Sequence, residues 1–204
     1  MQTVTAESVY QRVVRGEWDS LDPRLRAYFG PVPSGSIGVG RGTYDVAGSR
    51  IHLLRPVFSL TARVGILFPE VGRDVPFTVR NALQPDGSVI ATRTFAFPHG
   101  TRIMRDTLLI HEGRLVERAG RLELTLDASI VDGGMRLVSR RLHLRLGALR
   151  LPLPPFARVT VDERGDGDAQ RVDVRVSSPF VGEIFRYAGT FTYEHVPCGE
   201  GVGE

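Results

Sequence analysis

All 26 basic residues of this 204-residue chain are arginine. No lysine exists to form a Schiff base or to reach a nucleotide phosphate, which excludes aldolase-like, pyridoxal-dependent and Walker-type chemistry. A single cysteine, Cys198, likewise excludes an intrachain disulfide and a cysteine-built zinc cluster.

The length suits one domain with a sizeable core. The net charge is +3 and the pI about 9.5, yet the arginines alternate with acids instead of forming a phosphate-tracking stripe, so no nucleic-acid partner is expected. The opening "MQTVTAESVYQRVV" lacks a basic segment followed by an apolar run, and no uninterrupted apolar stretch reaches about 18 residues. Neither a secretory leader nor a membrane-spanning helix is expected, and the cytoplasm is the default location.

In chain order, residues 6–15 predict a short helix, with Val9 and Val13, Tyr10 and Val14 spaced by four and Thr5 as cap. "LDPRLRAYFG" predicts a second, with Asp22 as N-cap, Pro23 at the first helical position and Gly30 as stop. Trp18 between them reads as a packing anchor. "GPVPSGS" reads as a linker. Residues 36–46 are glycine-rich, and Gly38, Gly40 and Gly42 invite comparison with a phosphate loop. The next residues, "TYDV", continue as strand and do not start a helix, so a glycine-kinked strand is the better reading.

Residues 51–64 predict a helix with Pro56 near its start. Arg55, Ser59 and Arg63 form one narrow polar stripe, and Leu53, Leu54, Val57, Phe58, Leu60 and Val64 cover most of the remainder. Such a helix is expected to be buried on several sides, seated in the concave side or mouth of a sheet.

From residue 74 to 195 the pattern is strand. Val172, Val174 and Val176 alternate with charged residues, and Leu142, Leu144 and Leu146, and Leu122, Leu124 and Leu126, with charged or polar ones. "QPDG", "PHG", "HEG", "VDGG" and "ERGDGD" mark turns. Leu149, Leu151 and Leu153 continue in shifted phase, which predicts a β-bulge at Gly147–Ala148. "LPLPP" reads as a connector in preference to a polyproline ligand.

The resulting fold class is α+β, mostly antiparallel β. A strongly curved sheet or partly open β-barrel packs around one helix, with short N-terminal helices. Residues 1–196 form a single domain, and residues 197–204 a disordered tail. A START-like fold is the competitor, but the terminal "FRYAGTFTYEHV" does not read as that fold's closing helix.

In "RTFAFPHGTRIMRD", Arg93 shares a strand face with Val89, Ala91, Phe95 and Phe97. A buried arginine needs a partner. One reading is an internal ion pair, with Asp106, Glu70 or Asp74 as candidates. The other is a guanidinium that binds an anionic head group at the bottom of an apolar cavity. On the second reading the ligand-binding set is Arg93, Phe95, Phe97, Arg105, Phe185, Tyr187, Phe191 and Tyr193. Asp106 is the first candidate partner, although the phase of its strand leaves its face open. None of the histidines His52, His99, His111, His143 and His195 stands at metal-ligand spacing, and no Gly-x-Ser-x-Gly elbow occurs. No catalytic residue, metal or cofactor is assigned.

Several stretches together resemble a bacterial family of domains of unknown function, numbered 4166: "LDPRLRAYFG", "GVGRGTYDVAGS", "VPFTVRN", "RTFAFPHGTRIMRD", "LHLRLGALRLPLPPFARV" and "SPFVGEIFRYAGTFTY". The resemblance covers about residues 8 to 194. It implies no established activity and carries over no catalytic residue, but it maps an arginine–aromatic pattern onto Arg93 and Phe95. It also implies a domain found alone or behind saccharopine-dehydrogenase-like or short-chain-dehydrogenase-like NAD(P) domains, hence a possible oxidoreductase partner in trans. Three function classes are expected, in order of preference. The first is a binding module for a small hydrophobic or amphipathic anionic ligand. The second is an accessory domain beside an NAD(P)-dependent oxidoreductase. The third is a cofactor-independent enzyme using Arg, Tyr and Asp.

Overall fold

A computed structural model describes residues 7–198. The chain opens with helix α1 (Val9–Val14), a 3-10 turn (Arg15–Ser20), a second turn (Pro23–Leu25) and helix α2 (Arg26–Phe29). The cap of α1 is Ser8: its hydroxyl accepts from the Gln11 amide at 3.1 Å, and Gln11 Oε1 accepts from the Ser8 amide at 2.9 Å. The expected cap Thr5 lies outside the described residues. Asp22 caps its turn as expected, and Pro23 follows it.

Strand β1 (Ser36–Gly48) comes next, then a 3-10 turn (His52–Leu54), helix α3 (Arg55–Ala62) and the short β2 (Val71–Gly72). The rest is strand: β3 (Val75–Leu83), β4 (Val89–Phe97), β5 (Gly100–His111), β6 (Arg114–Ala119), β7 (Leu122–Val131), β8 (Gly134–Leu146), β9 (Leu149–Leu153), β10 (Arg158–Asp166), β11 (Ala169–Ser178) and β12 (Gly182–Pro197).

Every neighbouring pair is antiparallel, in the order β10-β11-β12-β1-β3-β4-β5-β6-β7-β8, and β8 then pairs with β10 through Val138–Thr160 and Met135–Glu163. The sheet therefore closes into a ten-stranded barrel, which removes the free edges an open sheet would carry. The "partly open" alternative gives way to closure.

Two local expectations are corrected. Gly147–Ala148 is the turn of a β8–β9 hairpin, with Leu146 opposite Leu149 and Gly147 at φ 61°, not a bulge. The bulges lie at Tyr44/Val46, Thr125/Leu126 and Val176/Ser177. Helix α3 is shorter than expected and is not surrounded. Phe58 is buried, but Leu53, Val57 and Leu60 are 86%, 54% and 64% exposed. The helix lies across one mouth of the barrel, and a helix resting on an opening buries one side only.

The opposite end is stopped by the N-terminal helices. The ring of Tyr28 meets those of Phe191 and Tyr193, at centroid distances of 5.6 and 4.8 Å, near the end of β12. The glycines of β1 make room for this packing. A Cβ on Gly40 would lie 2.5 Å from Val79 and 2.9 Å from the Phe191 ring, and one on Gly42 only 2.0 Å from the Thr190 carbonyl oxygen.

Candidate functional site

Directly opposed residues of an antiparallel pair share a face. Arg93 of β4 stands opposite Val79 of β3 and Met104 of β5, and Val79 is buried in the core, so Arg93 points into the barrel. Asp106, two residues beyond Met104, is on the same face. Its Oδ1 accepts a hydrogen bond from Arg93 Nη1, while its Oδ2 is buried with no hydrogen-bond partner among the described residues.

Two more acids enter from other strands. Glu117 of β6 stands opposite Leu108 and Leu124, and its carboxyl has no hydrogen bond or ion pair among the described residues. Glu163 of β10 is 5% exposed and accepts from Gln170 Nε2.

These groups open onto an internal cavity of about 440 Å³. Its floor is formed by Tyr10 and Tyr28, its walls include Tyr44, Leu137, Val161, Val172 and Val174, and Leu54, Phe58 and Phe156 border it at the α3 mouth. The small exposure left to the Arg93 side chain, 16%, faces this space.

Burial pushes the Glu117 carboxyl up to about 7, aided by the charge of Asp106 and opposed by Arg93. Burial likewise takes Glu163 to about 7 against the bond from Gln170. Asp106 is raised by burial, with Arg93 opposing. Burial works to lower the Arg93 pKa, but Asp106 and the surrounding tyrosines outweigh it and hold the guanidinium protonated.

The residues expected to form a ligand site divide. Arg93, Tyr187 and Phe191 line the cavity, and Arg105 borders it. Arg105 stands opposite Thr92, so it is on the outer face of the barrel, and it is exposed. Phe95, Phe97 and Phe185 are instead in packed core: Phe68, from the chain after α3, meets their rings at 4.8, 5.3 and 5.0 Å and fills that part of the interior. Tyr193 packs on Tyr28 and accepts from Asn81 Nδ2 at 3.1 Å.

Glu117 and Glu163 are not among the site residues expected from the sequence. Glu163 shares strand phase with Val159 and Val161, and Glu117 with Leu115 and Ala119; an acid in phase with an apolar face is the signal that could have found them. Among the described residues no cluster of His, Cys, Asp or Glu has metal-binding geometry.

The family profile described as "Domain of unknown function (DUF4166)" matches residues 21–191. The chain belongs to this family. The DUF4166 match begins just before Asp22 and runs to Phe191, so it spans the capping turn and the strands that carry Arg93, Asp106, Glu117 and Glu163. The chain is also similar to "Uncharacterized protein YndH" of Bacillus subtilis (strain 168), at 28% identity over 203 residues, covering 92% of this chain and 97% of the relative.

Proposed function

We propose that this DUF4166 domain is a binding module that holds a small, mainly apolar ligand inside the barrel. The carrying observation is the cavity of about 440 Å³, of ligand-pocket size, with apolar walls and a few convergent polar groups.

The charge inventory favours a particular polar end. Asp106 already engages Arg93, and Glu117 and Glu163 add two further acids against no second interior base among the described residues. An anionic head group would add repulsion to that set. A neutral or cationic group that donates hydrogen bonds suits Glu117 and the free oxygen of Asp106 better.

Thermal unfolding with decanol, decylamine and decanoate tests this, beside native mass spectrometry of protein purified from its own host. A ligand that binds only the folded state raises the melting temperature in proportion to the logarithm of its concentration. A shift with decanol or decylamine, larger than with decanoate, is the expected result. Apo protein from the host together with no shift for any probe would overturn the reading.

One observation favours a second reading. An unpartnered carboxyl held near 7 beside a buried ion pair is suited to proton transfer on a bound molecule. Deuterium incorporation into a component of host extract in heavy water, dependent on the protein and lost in Glu117→Gln, would support catalysis. No incorporation leaves a binder.

A further inference from the structure

The outer side of α3 has no cover. Leu53 in the preceding 3-10 turn, Val57 and Leu60 on α3, and Val64 just after it are spaced by four, three and four along this segment. They are 86%, 54%, 64% and 55% exposed, while Phe58 on the other side closes the cavity mouth.

The strand register places most other large exposed apolar side chains at this same end of the barrel. They include Leu149 on the β8–β9 hairpin, Phe156 before β10, and Phe180 and Val181 in the β11–β12 turn, at 56%, 46%, 84% and 59% exposure. A soluble monomer rarely gathers so many at one site.

Charge is distributed along the same axis. Arg50, Arg55, Arg63, Arg105, Arg121 and Arg158 are exposed around this mouth, and none is in an ion pair among the described residues. The acids there are largely taken up. Glu70 is held by Arg102, and Glu123 by Arg118, Arg145 and Arg150, leaving Asp74 and Glu183. At the far end Glu17, Asp19, Asp22, Asp86, Asp132, Asp166 and Asp168 are interleaved with arginines.

From this arrangement we infer that the α3 mouth docks on an anionic lipid bilayer. Leu53, Val57, Leu60, Phe156 and Phe180 enter the headgroup boundary, and the unpaired arginines pair with lipid phosphates or carboxylates. Apolar side chains raised on separate projections and flanked by guanidinium groups outside any ion pair among the described residues match a soft anionic plane. A flat protein interface would call for a continuous, closely packed apolar centre with a polar rim. The inference goes beyond the cavity reading and does not depend on it, although docking would present the cavity mouth to the membrane.

The test is co-sedimentation of the full chain with phosphatidylglycerol vesicles and with phosphatidylcholine vesicles, at low and high salt. Binding to phosphatidylglycerol alone, weakened by salt, is the expected result. Arg55→Gln/Arg63→Gln should weaken it about 25-fold, at about fivefold per removed charge. Leu53→Ser/Leu60→Ser/Val64→Ser should weaken it at least about tenfold with an unchanged melting temperature, since all three positions are exposed and none lines the cavity. No sedimentation with either vesicle, or binding that both variants retain, would overturn the inference. So would a dimer in analytical ultracentrifugation that the triple variant converts to monomer, because the patch would then face a second copy of the chain.

Discussion

Arg93 and Asp106 form a diagonal pair across β4 and β5 inside the barrel, and Asp106 keeps one buried oxygen without a partner. Removing one member strands the other as a buried charge, whereas removing both leaves an apolar wall. Arg93→Met should therefore cost about 3 to 5 kcal/mol. Arg93→Met/Asp106→Leu should recover most of that loss, as read from urea unfolding. A single variant as stable as the wild type would show that the pair contributes nothing to the fold.

The pair also shows how far sequence patterns reach. The inward face of Arg93 is legible because Val89, Ala91, Phe95 and Phe97 share it. That of Asp106 is not, because both faces of its strand mix charge with apolar residues: Met104, Asp106, Leu108 and Ile110 against Ile103, Arg105, Thr107 and Leu109. The register with β4 decides between them, and register is a long-range property.

Closure is hidden for the same reason, since β8 finds β10 across the β9 hairpin that separates them in sequence. The sequence overstates the burial of α3 because its residues are apolar around most of the circumference. Periodicity reports what a helix could bury, not how many partners it has.

Glu117 and Glu163 make stability depend on pH in a direction opposite to ordinary acid denaturation. Each carboxyl is raised from 4.5 to about 7 on folding. Between those values the folded state holds more protons than the unfolded one, so stability falls as pH rises from about 4.5 to about 7. The loss is on the order of 1 to 3 kcal/mol per group. Asp22, Glu70, Asp86, Glu123 and Asp173 have lowered values and act the other way at more acidic pH, and burial lowers the values of His143 and His195, which offsets part of the decline near pH 6. Urea midpoints measured from pH 5 to about 8 should therefore decline. Glu117→Gln should flatten that decline, and an unaltered slope would show that Glu117 does not titrate inside the barrel.

The tight passage between β1 and β12 predicts a contrast between two glycines. An added Cβ at Gly42 would lie 2.0 Å from the Thr190 carbonyl oxygen, a backbone atom fixed by the ladder, while one at Gly16 meets nothing within 4 Å. Gly42→Ala should destabilise by at least about 2 kcal/mol, by forcing two strands apart. Gly16→Ala should stay within about 0.5 kcal/mol of wild type. Equal melting temperatures for the two variants would contradict the β1–β12 register.

Val161 stands opposite Leu137 and Val174, lines the cavity, and is only partly buried although it faces inward. Enlarging a side chain that borders open space adds contacts without the crowding that overpacking causes in a filled core. Val161→Phe should therefore keep or raise the melting temperature of the apo protein. It should also cut the response to decanol and decylamine by about tenfold or more, because the ring takes the volume a ligand would use. A steep fall in stability would mean that the space is not available to a side chain. An unchanged response to the probes would place their binding outside the barrel.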